Sequence, residues 1–307
     1  MANIITITFS PSIDKSASVK SLIPTKKLKC DNTNLQPGGG GVNVARVLSK
    51  LGAEVMAIFP SGGYTGAYFS NLLTNENVAY VSVPAQNETK ENFVILDKSC
   101  NQQYRFGMPS NPLLATEYKA CLKLIASYKN ASFIVASGSL PPGVPLTIYA
   151  DIAKIAKNNN AKFVVDTSGP ALKNAINERV FLLKPNLNEL CFLAGIKNLN
   201  SLDVEKVAKD LIVKKNCEIM VVSMGSDGAM LITKNQTYTV KPPNVKVKTT
   251  VGAGDSMLAG IIFSLSTGHN LEQALKYGVA CGTAATLNFG SQLCNKADIE
   301  KLYKLIG

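Results

Sequence analysis

The segment Thr249-Thr250-Val251-Gly252-Ala253-Gly254-Asp255-Ser256 is the stretch best suited to chemistry. Two glycines bracket an alanine, so the backbone N–H groups of Gly252, Ala253 and Gly254 can converge on a ligand. Helical apolar spacing follows over 256–265, and a helix starting there adds positive potential at its N-terminus. That arrangement suits a phosphoryl group. An acid beside it is costly for holding phosphate but useful for taking a proton from an attacking hydroxyl, the role open to Asp255. The plainer alternative is that Asp255 caps the helix. The helix N-terminus is also expected to hold the Asp255 pKa low.

A second segment, Pro37-Gly38-Gly39-Gly40-Gly41-Val42-Asn43, leads into a helix with apolar positions Val44, Val47, Leu48 and Leu51. Glycines allow close backbone approach, and Asn43 offers both donor and acceptor to a polyhydroxylated ligand. A flexible turn with a capping Asn is the alternative. There is no G-x-x-x-x-G-K-[ST] and no G-x-G-x-x-G, which argues against a P-loop and a dinucleotide fold. In Lys184-Pro185-Asn186-Leu187-Asn188-Glu189, Asn186 and Glu189 are three apart on one helix face. They could hold a hydrated Mg²⁺ or form a capping box. Ser223-Met224-Gly225-Ser226-Asp227-Gly228 is either a turn or a backbone rim for a nucleotide. Ser137-Gly138-Ser139 ends an apolar run. Asp14, Lys27, Lys90 and Arg105 complete the candidates, with solvated surface the default for each cation.

These residues need a scaffold that collects them. Runs rich in β-branched residues recur at 4–9, 55–59, 79–83, 133–136, 163–166, 180–183, 219–223 and 230–233. Helical spacing lies between many of them, at 42–51, 113–128, 146–157 and 204–213. Alternating strands and helices predict a parallel sheet covered on both faces. Most candidate residues fall just after a strand, so one sheet edge would gather them. Two helical patterns close the chain's last third, and small residues dominate the second, which predicts close packing on the sheet or a ligand. Two ribbons with period-2 spacing, 16–34 and 92–106, interrupt the alternation and predict a small accessory sheet. Residues 1–307 then read as a single domain, with a lid from about 15–34 and 90–107 inserted in it.

Composition removes some chemistry. The net charge is +11, which alone suggests a polyanion. Yet only three of the 32 basic residues are Arg (Arg46, Arg105, Arg179), and nucleic-acid readers lean on Arg. With one histidine, His269, a multi-His metal site is impossible. The seven scattered cysteines read as reduced thiols in a cytoplasmic protein. The start reads as a strand and not a signal peptide, and no apolar run reaches the roughly 20 residues of a membrane span.

Taken together, GGGGVNVARVLSKLG (38–52), SGSLPPG (137–143), KPNLNEL (184–190) and TVGAGDSMLAG (250–260) resemble the ribokinase-like, PfkB-type carbohydrate kinases over essentially the whole chain. Within the family the resemblance is to the bacterial 6-phosphofructokinase branch, through FSPSIDKS, YRFGMP and ATLNFGSQLC. The 1-phosphofructokinases and tagatose-6-phosphate kinases generally carry Lys where this chain has Gly40. They remain the nearest alternatives; a non-enzymatic nucleic-acid-binding protein is the more distant one.

The resemblance implies an α/β fold, a doubly wound, mostly parallel sheet with a small β-sheet lid. It implies ATP-dependent phosphorylation of fructose 6-phosphate at the C1 hydroxyl. Asp255 would be the base, and the Gly252, Ala253 and Gly254 amides would stabilise the transferring phosphoryl. Asp14, Gly39, Gly40 and Asn43 would hold sugar hydroxyls, and Lys27, Lys90, Arg105 and Ser139 the sugar phosphate. Lys184, Asn186, Ser223, Gly225 and Gly228 would line the ATP site, with Val279 and Thr283 near the adenine. Glu189 would act on Mg²⁺ through water, and Thr249, Val251, Ala285, Asn288 and Gly290 would hold a monovalent cation such as K⁺. The lid would also form a homodimer interface. Lys90 departs from the family's usual Arg, giving a point charge instead of a fork.

Overall fold

A computed structural model of the chain describes residues 3–215, 217–290 and 292–307. The strands are β1 (Ile4–Ile7), β2 (Ser12–Val19), β3 (Asp31–Gly38), β4 (Val55–Ser61), β5 (Tyr80–Pro84), β6 (Lys90–Asp97), β7 (Gln102–Phe106), β8 (Phe133–Ser137), β9 (Lys162–Asp166), β10 (Val180–Leu183), β11 (Cys217–Ser223), β12 (Ala229–Ile232) and β13 (Thr237–Val240). The helices are α1 (Gly40–Leu51), α2 (Gly63–Asn75), α3 (Ala115–Ser127), α4 (Ile148–Asn158), α5 (Gly169–Ala175), α6 (Leu187–Ala194), α7 (Val204–Lys214), α8 (Ala253–Ser266), α9 (Leu271–Thr286) and α10 (Lys296–Ile306).

The main sheet has the order β13-β12-β11-β10-β9-β8-β1-β4-β5. It is parallel from β5 to β11, and β12 and β13 add an antiparallel edge. The apolar runs explain the burial. Every residue of β1 and of β8 is buried, as expected for strands covered on both faces. Ile4 packs in one layer with Val42 and Leu258, whereas Ile5 and Ile7 pack in the other with Ile134 and Ile148. Each such side chain contributes roughly 2 kcal/mol of burial.

Chain order places the switch point at β1. From β1 the sheet grows through β4 and β5 on one side, then restarts at β8 on the other. A crevice therefore opens beyond the carboxyl ends of β1 and β8, the place where open α/β sheets bind ligands.

The accessory sheet is real but longer than the period-2 ribbons suggest. It has the order β3-β2-β6-β7. β2 begins at Ser12, and β3 runs on to Gly38, which pairs with Ser12. The glycine run is thus both the end of β3 and the entry to α1. Glycine lacks the side chain from which periodicity is read, so this continuation was hidden.

The small-residue helix α9 packs along α8. A Cβ on Gly278 would lie 2.9 Å from the Met257 carbonyl, so the two backbones approach closely only with glycine there. Among the described residues all seven cysteines are free thiols: Cys30 and Cys100 are exposed on the small sheet's loops, and the other five are buried. No helix among the described residues is long and apolar enough to cross a membrane.

Candidate active site

Four elements converge on Asp255. It occupies the first turn of α8, whose N-cap is Gly252 in the left-handed region (φ 71°). The Asp255 side chain does not cap the helix. Instead its Oδ2 accepts a 2.9 Å hydrogen bond from Asn43 Nδ2 on α1. The capping alternative is therefore replaced by a contact between two distant segments.

The expectation of a low Asp255 pKa is corrected. Burial, and after it the neighbouring Asp166 carboxylate, push it up to about 6, against the opposing pull of Asn43 and Lys184. Desolvation of the charged form outweighs the helix N-terminus here. Nothing local in the sequence shows that Asp166 and Asp14, from other strands, face this helix.

Lys184 lies at the end of β10 and is almost fully buried. Its Nζ pairs with Asp166 Oδ2 at 3.1 Å. A Cβ on Gly254 would sit 3.3 Å from that ammonium, so Lys184 rests against the glycine turn. Burial alone would lower its pKa; Asp166, Asp255 and Glu189 outweigh that and raise it. Asp166 was missed as a site residue. It ends a buried strand and reads there as a mere boundary; its position just beyond a parallel strand was the available signal.

Asn186 and Glu189 form the capping box foreseen as the alternative: Glu189 N–H donates to Asn186 Oδ1 and Asn186 N–H to Glu189 Oε2, both at 2.9 Å. The box does not remove Glu189 from the site. Burial raises the pKa of its half-buried carboxyl, and Asp166 adds to the effect. Two carboxylates beside one lysine suit a hydrated Mg²⁺, which needs few direct protein ligands. No cluster of three or more His, Cys, Asp or Glu that could hold a metal exists among the described residues.

Beyond the glycine turn lies a cavity of about 410 Å³, lined by Ser223, Gly225, Gly228, Val245, Gly254, Met257, Val279 and Thr283, among others. That volume falls in the range of small-molecule sites. Ser223 is tied to the Asn186 segment by its N–H to the Pro185 carbonyl at 3.0 Å. Gly228 has φ 94°, and a Cβ there would collide with the Val240 carbonyl, so only glycine closes this turn.

Asp14, whose charge also acts on Asp255, is 9% exposed and accepts hydrogen bonds from Ser12 Oγ (2.9 Å) and Asn92 Nδ2 (3.0 Å). Burial raises its pKa. Gly39 (φ 104°) and Gly40 bring α1 against the β1 and β8 ends. A Cβ on Gly40 would collide with Ser137 Oγ and lie 2.7 Å from Gly138 N. Ser139 is exposed on the loop after β8.

The cations are not brought to one point. Lys90 Nζ, half-buried, donates to Ser110 Oγ at 3.1 Å, and burial lowers its pKa. Arg105 pairs in register with Val94, four residues along β6, and reaches Thr250 Oγ1 at 2.7 Å. Lys27 is exposed between β2 and β3, with no hydrogen bond or ion pair to the site among the described residues. Of the cation-loop residues, Thr249 N–H meets the Thr286 carbonyl at 3.3 Å, and Val251 N–H meets Thr249 Oγ1 at 3.1 Å. Asn288 N–H meets the Ala285 carbonyl at 3.4 Å. Gly290 (φ 60°) lies against Ser16.

A model of the pfkB family carbohydrate kinases matches residues 8–298. The chain belongs to this family. The ATP-dependent 6-phosphofructokinase isozyme 2 of Escherichia coli (strain K12) is 37% identical over 304 residues, covering 99% of this chain and 98% of that one. The crystal structure of phosphofructokinase-2 from Escherichia coli in complex with potassium aligns with a TM-score of 0.95 at 37% identity, covering 100% of this chain and 99% of that chain. The same enzyme in complex with fructose-6-phosphate aligns at 0.93 and 36%, with the same coverages. This kinase therefore has the ribokinase-like fold expected from its motifs, with one large, mostly parallel sheet and one small sheet.

Proposed function

We propose that this chain transfers the γ-phosphoryl of ATP to the C1 hydroxyl of fructose 6-phosphate. The observation that carries the reading is the position of Asp255. It bonds to Asn43, which with Asp14, Gly39 and Gly40 forms the proposed hydroxyl-binding set, and it directly follows Ala253 and Gly254, which line the cavity, with Lys184 against the glycine turn. Asp255 takes the C1 proton as the oxygen bonds to the γ-phosphorus. The bond from phosphorus to the bridging oxygen breaks, and its electron pair leaves with ADP. The Gly252, Ala253 and Gly254 amides meet the charge on the transferring oxygens. Bound Mg²⁺ supplies charge neutralisation along the phosphates; Asp166 and Glu189 would hold its water shell, and Asn186 orients Glu189. Lys184 fixes Asp166 and faces the phosphates. Ser223, Gly225 and Gly228 rim the nucleotide, and Val279 and Thr283 meet the base.

Carbonyl and hydroxyl oxygens of Thr249, Val251, Ala285, Asn288 and Gly290 offer uncharged hard donors, the chemistry of a K⁺ site. The 1–307 chain acts as one catalytic unit with the small sheet as its lid. Exposed Ile23, Tyr104, Phe106 and Met108 on and beside that sheet support a homodimer through it. Free thiols support a cytoplasmic setting.

The rival substrates, tagatose 6-phosphate and fructose 1-phosphate, are disfavoured by Gly40. A Lys there, as the resemblance assigns to those enzymes, collides with the Ser137–Gly138 turn. ADP release from MgATP is measured against fructose 6-phosphate, tagatose 6-phosphate, fructose 1-phosphate and free sugars. The highest kcat/KM belongs to fructose 6-phosphate; a higher value for either rival overturns the assignment.

Lys90→Arg supplies the fork that phosphate prefers. Its KM for the sugar phosphate is expected to stay level or fall. A large rise in steady-state KM would remove Lys90 from the phosphate site.

A further inference from the structure

Arg46 is the largest fully buried side chain among the described residues, and nothing in the kinase reading so far uses it. Burying a guanidinium is expensive unless every donor finds a partner. Here Nε and Nη2 fork onto Glu76 at 2.7 and 2.6 Å, and Nη1 donates to the Pro37 carbonyl at 2.7 Å. Nη1 also donates to Asn43 Oδ1 at 3.2 Å. The other end of that amide, Nδ2, donates to Asp255.

A side-chain amide turned over by a half-rotation fits the same space. Turned over, Asn43 would aim its carbonyl oxygen at the Asp255 carboxylate and its NH₂ at Arg46. Arginine has donors and no acceptor, so it admits only one orientation. Glu76, at the C-terminal end of α2, fixes the guanidinium in turn. We propose that Arg46, held by Glu76, is a positioning residue: it locks the Asn43 amide so that an N–H engages one Asp255 oxygen and leaves the other aimed at the substrate hydroxyl. The inference rests on Asp255 being the base.

The test is a cycle on the full-length enzyme. Arg46→Met with Glu76→Gln removes the buried guanidinium and its carboxylate partner's charge together. It is combined with Asn43→Ala, and kcat and both KM values are measured with MgATP and the best substrate of the panel. Thermal melts establish that each variant is folded. The Arg46/Glu76 change is expected to lower kcat at least about tenfold while the KM for MgATP moves less than about threefold. In the Asn43→Ala background the same change is expected to lower kcat no further. An unchanged kcat in the folded variant overturns the proposal, as does an equal loss in both backgrounds. If the paired variant does not fold, Arg46→Gln replaces it, since Glu76 is a quarter exposed and reaches water; the same outcomes decide. Failure of the base reading shows separately, as near-normal turnover in Asp255→Asn.

Discussion

Asp255→Asn is expected to lower kcat by roughly a thousandfold, within the range for a lost general base, while leaving ATP affinity nearly unchanged. The Asn side chain keeps an oxygen to accept from Asn43, so the geometry survives and only the proton acceptor is lost. Steady-state kinetics and nucleotide binding check both halves; turnover within tenfold of the parent would remove Asp255 from the base role. The raised pKa adds two consequences. With a folded value of about 6, the wild-type kcat/KM is expected to fall as pH drops below that value, because the base becomes protonated. The sign for stability is the reverse. A carboxyl with a raised folded pKa costs stability when ionised, so above about pH 6 the native Asp255 destabilises the fold, on the order of 3 kcal/mol. Asp255→Asn is therefore expected to melt at a higher temperature at pH 7.5. The advantage shrinks as pH falls from 6 toward 4, where wild-type Asp255 becomes protonated in both states.

Lys184→Met is expected to have the other large effect. It leaves Asp166, Asp255 and Glu189 without the cation that all three charges act on. Breaking a buried pair by removing one partner costs about 3–5 kcal/mol, so the melting temperature falls at neutral pH. Like-charge repulsion also opposes the arrival of triphosphate, so kcat/KM for MgATP drops by at least about a hundredfold. Calorimetry and kinetics at saturating sugar phosphate check this. A variant with parental stability and nucleotide KM would mean that Lys184 is ornamental to both.

How much of this could be read from residues alone varies with the reach of the interaction. The central strands were legible because 133–136 and 219–223 are largely apolar runs rich in β-branched residues and bounded by turn residues. The edge strand β13 and helix α2 were not. α2 buries only Gly66, Phe69 and Leu73 while exposing Tyr64 and Tyr68, so its apolar face has little contrast. At the site, the glycine turn and Asp255 were visible because their chemistry is local. Asp166, Arg46 and the direction of the Asp255 pKa were not. Each depends on partners separated in sequence, as Glu76 is from Arg46 by 30 positions and Asp255 from Asn43 by 212. Topology, not pattern, brings them together.

The placement of the cysteines has a practical outcome. The two solvent-facing thiols, Cys30 and Cys100, sit on the loops of the small sheet, while the other five are enclosed. A maleimide dye added to the unmodified protein under native conditions would therefore mark the small sheet and leave the five enclosed thiols unlabelled. Any movement of the small sheet when substrate is added could then be followed by fluorescence without engineering a single residue.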